Sequence, residues 1–272
     1  MKRILCPVDF SETSENAVEY AVRIAQKMRA GITLLNVQVL ADLTVQEVFL
    51  KKDSTMQSNK ERLAAWSETI SATFHIPCGF DSEQSNFSLS KLIGEKAFGY
   101  DLIVMGTEGT QSIGQLLFGT NTYKVIRETN IPVLLVPGQC RFREVKKIVF
   151  AFDYWRAHQI PLTNLMAFAG LFKSKVVILQ ALEESKSEKV EAELKDDQKL
   201  IRQFYGNEGT EIQFDTIHVT DLAPGINRYM TSNLGDMLVL SAVAHPLLEK
   251  IFHKSVIKDI AGMASYPVYI FQ

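Results

Sequence analysis

The chain has 272 residues, 46% of them apolar, with 29 basic and 31 acidic side chains and a formal net charge of −2. That length is comfortable for two domains, and each half holds enough apolar residues to bury a core. The balanced charge gives no electrostatic case for nucleic acid or an acidic membrane surface, and no uncharged apolar stretch approaches the ~20 residues of a membrane span.

Met1-Lys2-Arg3 has the charge of a signal-peptide start, but the apolar run behind it, Ile4 to Val8, is too short for one. That run reads instead as a short strand ending at the acid Asp9. A helix follows, with an apolar stripe of Ala17, Ala21, Ile24 and Ala25 at spacings of three and four. Ser11, Thr13 and Ser14 near its start are all competent caps. A second strand is expected at 32–37, a long charged helix at 44–72 and a weak strand near 74–80. A helix near 88–98 then leads to a strand at 101–105, and a helix at about 120–129 to a strand at 132–136.

The same pattern recurs. Ile4 to Phe10 aligns with Ile148 to Tyr154, and Gly31 to Val37 with Lys175 to Ala181, both at an offset of 144. Asp101 to Met105 aligns with Asp236 to Leu240, and Ile131 to Val136 with Tyr266 to Phe271, both at an offset of 135. Four matches in order make chance a poor explanation. The expected domains are 1–138 and 145–272, divided at the polar stretch Gly138 to Glu144. Strands apolar on both faces that alternate with helices imply an α/β architecture. Two doubly wound, open parallel sheets of about five strands each, with helices on both faces, are expected. Ligands in such sheets bind beyond the carboxyl ends of strands, where the strand order switches. Asp9 and Gly106 both fall at such ends.

The segment Gly106-x2-Gly109-x9-Gly119-Thr120 follows the fourth strand and opens the last helix of the first copy. Gly106 and Gly109 allow a tight turn and close backbone approach. A helix N-terminus at Thr120-Asn121-Thr122 offers free N–H groups and the positive end of the dipole, with threonine hydroxyls beside them. Taken singly, two glycines after a strand are usually a turn and a threonine at a helix start is usually a cap. Their conjunction points to a phosphate cradle built from backbone donors. Neither a Gly-Lys-Ser/Thr nor a Gly-x-Gly-x-x-Gly sequence occurs, so no P-loop lysine is available for a γ-phosphate.

The opening Ile-Leu-Cys-Pro-Val-Asp-Phe-Ser, the Ala17-x3-Ala21-x3-Ala25 spacing, the Asp-Leu-Ile-Val-Met-Gly-Thr block and the final Ile-Pro-Val-Leu-Leu-Val-Pro resemble the universal stress protein (UspA) family in a tandem arrangement. The resemblance is strong over 1–137 and weaker over 146–272. It implies an adenine nucleotide α-hydrolase-like fold and an ATP site, with AMP or ADP as alternatives. Pro7 and Asp9 would line that site, and Val37 would contact adenine through its backbone. Met105 and Gly106 would lie by the adenosine, and Gly109, Gly119, Thr120, Asn121 and Thr122 by the phosphates. One departure stands out: Thr107-Glu108 and Thr110 occupy the loop where many relatives carry histidine or arginine, and an acid beside phosphates would weaken binding, favour AMP or require a divalent ion such as Mg²⁺. The resemblance further implies a stress-response or regulatory protein whose halves form an internal pseudo-dimer through strands 132–136 and 267–271, with a further homodimer open. The alternatives are a slow ATPase or nucleotide-transferring enzyme using Glu108, and an interaction scaffold without nucleotide.

The second copy has lost the cradle. Its matching positions are Ser241, Ala244, Lys254 and Ser255, and if those sites need a left-handed backbone each Cβ costs roughly 1–2 kcal/mol. No nucleotide is expected there, although Asp153 survives. His218, His245 and His253 complete no metal set, and Ser11, Ser14 and His75 form no nucleophile–base arrangement. No catalytic residue is therefore assigned. Glu183 to Asp197 reads as a solvated charged face, and Trp66 and Trp155 as core or interface. Cys6 is expected in a buried strand, with Cys78 and Cys140 open to exposure. Three widely spaced cysteines without a CxxC fit a reducing compartment, so a soluble, cytoplasmic protein is expected.

Overall fold

The structure is a computed structural model. It describes residues 1–39, 45–107, 120–152, 162–183, 198–205, 210–242 and 254–271; at 45–55, 120, 121, 152, 183, 254 and 255 it describes the backbone alone. The described residues divide into two compact units, Met1–Phe142 and Arg143–Phe271.

The first unit alternates strand and helix throughout: β1 (Arg3–Pro7), α1 (Glu12–Met28), β2 (Gly31–Val39), α2 (Val45–Phe74), β3 (Cys78–Ser85), α3 (Leu89–Ala97), β4 (Leu102–Thr107), α4 (Thr120–Glu128) and β5 (Val133–Pro137). Its strands are parallel in the order β3-β2-β1-β4-β5. The chain therefore steps outward from β1 to β3 and then returns to the other side of β1. Right-handed crossovers across that reversal place helices on opposite faces of the sheet. The helices pack accordingly, α1 with α2 and α3 with α4. The central strands are buried on both faces: Ile4, Leu5 and Cys6 of β1 and Ile103 and Val104 of β4 have no solvent exposure.

Local chemistry sets the ends of α1. Ser11 is its N-cap, and its side chain accepts a 3.2 Å hydrogen bond from the Ser14 amide. At the other end Arg29 takes a left-handed conformation at φ 53, and its amide reaches back to Ala25. Ala17, Ala21, Ile24 and Ala25 are completely buried, as the helical spacing predicts. Asp101 fixes the start of β1, where its carboxylate accepts the Arg3 amide at 2.7 Å.

The expected strand at 74–80 lies elsewhere. Phe74 is the last residue of α2, His75 turns the chain at φ 55, and β3 runs Cys78–Ser85. The apolar residues that suggest a strand belong to the helix end and its connection, where Ile76 is buried. β3 itself is an edge strand, paired only with β2, and only Ser85 within it is buried. Such a strand needs little apolar content, and its carboxylates are used: Asp81 and Glu83 both hold Lys96 of α3, with Asp81 at 2.7 Å.

The second unit comprises β6 (Lys147–Phe152), α5 (Leu162–Phe172), β7 (Lys175–Glu183), α6 (198–205), β8 (Ile212–Val219), α7 (Leu222–Ser232), β9 (Met237–Ser241), α8 (Lys254–Met263) and β10 (Val268–Phe271). Its strands are parallel in the order β8-β7-β6-β9-β10. The register repeats that of the first unit. Ile4 lies opposite Ile32 and Leu102, and Ile148 lies opposite Val176 and Met237. Asp236 repeats the Asp101 contact by accepting the Lys146 and Lys147 amides, both at 2.9 Å.

Candidate functional site

The first unit has a cleft of about 150 Å³ beyond the carboxyl ends of β1, β2 and β4, beside the N-terminus of α1. This is the crevice that the reversal of strand order creates. Pro7 and Asp9 enter it from the end of β1, Val37 from β2, and Met105 and Gly106 from β4. Five of the residues selected from the sequence are thus brought together. Leu35 and Leu89 add apolar wall, while Ser11, Thr13 and Ser14 add a rim of hydroxyls. The result is a small apolar slot with a polar edge, which suits a flat, weakly polar ring carrying a more polar substituent.

Three hydrogen bonds fix the ends of the strands that form the slot. The Val8 amide donates to the Leu35 carbonyl at 2.8 Å. Asn36, buried behind Val37, donates from Nδ2 to the Val8 carbonyl at 2.8 Å and accepts from Asn59 of α2 at 3.1 Å. The backbone edges that would meet a ligand therefore cannot slide independently.

Asp9 is held in the same way. Its Oδ1 accepts from the Ser11 hydroxyl at 2.6 Å and from the Ser11 amide at 3.0 Å. Partial burial pushes its pKa up, but hydrogen bonds from the Ser11 hydroxyl, the Ser11 amide and the Ser14 hydroxyl outweigh it. Its carboxyl consequently sits below the usual aspartate value. Asp9 is an anion in the cleft at any ordinary pH.

Gly106 is required for a reason different from the expected one. Its backbone is that of a strand, paired with Val136, and among the described glycines only Gly99 has positive φ. A Cβ on Gly106 would lie 2.7 Å from the Thr13 carbonyl oxygen and 2.7 Å from its Cγ2. The glycine admits the first turn of α1 against β4, so it shapes the cleft through packing rather than through a left-handed turn.

Of the remaining selected residues, Gly109 and Gly119 lie outside the described residues. Thr120 and Asn121 open α4, where the backbone is helical, and Thr122 is buried in the same turn. The sequence marks Ser11, Thr13 and Ser14 as caps alone. Their place directly after a strand-ending acid is the available sign that they also face the cleft.

In the second unit Ser241 ends β9, opposite Phe271. Lys254 and Ser255 begin α8, and Asp153 and Ala244 lie outside the described residues. Gln180 occupies the β7 position that matches Asn36, but among the described residues neither its Nε2 nor its Oε1 has a hydrogen-bond partner, although it is buried. Among the described residues no group of histidine, cysteine and carboxylate side chains could hold a metal ion.

Comparison with known proteins agrees with this fold. A universal stress protein from Archaeoglobus fulgidus DSM 4304 shares the fold over 99% of this chain and 98% of its own, with a TM-score of 0.78 and 17% identity. A universal stress protein of Methanocaldococcus jannaschii is 25% identical over 158 residues, covering 50% of this chain and 94% of that protein. One from Thermus aquaticus is 52% identical over 48 residues, which spans 18% of this chain and 33% of the relative. Residues 1–137, half of the chain, match the universal stress protein family, and the chain belongs to that family.

Proposed function

We propose that the first unit binds an adenine nucleotide and that the chain is a stress-response or regulatory protein. The ligand is ATP, or ADP or AMP. The carrying observation is the cleft that gathers Pro7, Asp9, Val37, Met105 and Gly106 at the switch in strand order. Its apolar slot fits adenine, with Val37 presenting backbone to the base and Met105 and Gly106 beside the adenosine. Gly106 leads directly into the Gly109, Gly119, Thr120, Asn121 and Thr122 sequence, which supplies backbone and hydroxyl donors for phosphates. Glu108 adds a carboxylate to that loop, which would favour an accompanying Mg²⁺ to offset the charge.

The domains are 1–138 and 145–272. The second, without the glycines, serves as structural partner in a pseudo-dimer of the two, and whole chains can pair further. Binding without turnover is the reading, because the chain has no P-loop lysine. A cytoplasmic setting suits the three unpaired cysteines, and among the described residues no helix is long and apolar enough to cross a membrane.

The test is to denature the purified protein and separate the supernatant by ion exchange. Adenine nucleotide at about one per chain is expected, with Gly109→Val losing it. A clean supernatant, with no thermal shift on adding ATP and Mg²⁺, would overturn the proposal. ATP turnover abolished by Glu108→Gln would replace it with an enzymatic one.

A further inference from the structure

On the other side of the β1–α1 turn from the cleft lies a larger opening that the nucleotide proposal does not use. α1 and α2 border a cavity of about 580 Å³, within the ~300–1,000 Å³ typical of small-molecule sites. Phe10 joins the two places. It follows Asp9, its φ is 63, and its ring lines the larger cavity. A bulky side chain rarely takes that backbone conformation.

The walls of the cavity are aromatic. Phe10 and Trp66 stand with ring centroids 6.4 Å apart, tilted by 36°, and Phe74 also lines the cavity. Val18, Val22 and Ile70 form an apolar floor and are themselves nearly inaccessible. The charged lining is unequal. Arg62 is already engaged, with its guanidinium 3.9 Å from the Phe10 ring centroid. Glu15 and Glu19 sit one turn apart on α1, on one side of the helix, and neither has an ion-pair partner among the described residues.

These features select among ligand classes. An anion would meet two carboxylates against the single Arg62 guanidinium, which is seated on the Phe10 ring. A neutral hydrocarbon would fill the apolar space but leave both carboxylates unpaired. An ammonium group is attracted by the carboxylates and by the ring face of Trp66, while an apolar body attached to it packs against Phe10, Val18, Val22 and Ile70. We infer that the α1–α2 cavity is a second ligand site, specific for a small organic amine with an apolar or aromatic body. It stands independently of the nucleotide proposal, since it draws on none of the cleft residues.

A matched series tests it: 4-phenylbutylamine, 4-phenylbutanol and 4-phenylbutyrate, titrated into the full chain without nucleotide. The chain has two tryptophans, so Trp155→Phe leaves Trp66 as the fluorescent reporter, and calorimetry on the unaltered chain gives a second measurement. The amine should saturate the Trp66 signal with affinity about tenfold above the alcohol, as expected for partly desolvated cation–π and ionic contacts, and the carboxylate should bind most weakly. Added salt should narrow the gap. The Glu15→Gln, Glu19→Gln double variant should bind the amine no better than the alcohol, while its unchanged affinity for the alcohol shows that the cavity is intact. Equal affinities for amine and alcohol in the unaltered chain would overturn the inference. So would the absence of saturable binding by calorimetry, or a double variant that retains the preference for the amine.

Discussion

At the carboxyl end of β4 the first unit carries Gly106, and at the matching place in β9 the second carries Ser241. The strands on which they sit keep the same register in both units. In the first unit Thr13 of α1 approaches so closely that a Cβ would meet its carbonyl oxygen at 2.7 Å. A shared strand framework thus fixes where a cleft can form, while the close seating of α1 decides whether one side chain there is tolerated.

Gly106→Ser makes the first unit resemble the second at this point, and it should have the largest effect. Overpacking against a backbone atom cannot be relieved by a rotamer change, so a loss of about 3 kcal/mol is expected, read from the urea unfolding midpoint. Gly79→Ser is the control. Gly79 lies on the edge strand β3, where a Cβ would have nothing within 4 Å of it, and its change should stay within about 0.5 kcal/mol. Equal effects at the two glycines would show that α1 is not held against β4.

Asn36 and Gln180 give a second contrast at matching positions. Asn36 is bonded through both its amide nitrogen and its oxygen, whereas both polar atoms of Gln180 are buried without partners among the described residues. Removing a bonded amide strands its partners, so Asn36→Ala should cost about 2 kcal/mol. Gln180→Met removes the unsatisfied atoms at nearly constant volume, and it should be neutral or stabilising by up to about 1 kcal/mol. Opposite signs in thermal unfolding are the expected result. A clear loss of stability in Gln180→Met would mean that the second unit uses that amide.

Much of this framework is legible in the sequence because its signals are local. The strands at 4–8 and 101–105 are continuous apolar runs, and the Ala17, Ala21, Ile24 and Ala25 stripe has helical spacing. The repeat is legible because β1 and β6 must keep the same apolar run to sit at the centre of a sheet. β3 is misplaced because an edge strand is specified by its pairing with β2 and by Lys96 of α3, neither of which leaves a period in its own residues. Five residues that the family resemblance selects line one cleft. The physical role of Gly106 is not legible, because the approach of Thr13 is a tertiary contact across more than ninety positions of sequence. Cys140 makes the same point. Its place in a polar junction suggests exposure, yet it is buried with Sγ 3.1 Å from the Tyr20 hydroxyl of α1.

The smallest effect concerns the acid that ends the first strand of each unit. Asp9 is followed two residues on by Ser11, which donates to it through both hydroxyl and amide and also caps α1. Asp153 is followed at the same spacing by Trp155, which has no hydroxyl to donate. Asp9 should therefore titrate below the ordinary aspartate range, measured from its carboxyl signal by NMR. The sign of the linkage follows. Asp9 is depressed below the unfolded-chain value of about 3.9, so its stabilisation is present above that value and is lost as pH falls through the folded-state value. Ser11→Ala removes the cap and the hydroxyl together. It should cost about 1 kcal/mol at neutral pH and return Asp9 toward the ordinary range, so that the variant loses less of its remaining stability on acidification. An Asp9 that already titrates in the ordinary range in the unaltered chain would show that its bonds to Ser11 are not maintained in solution.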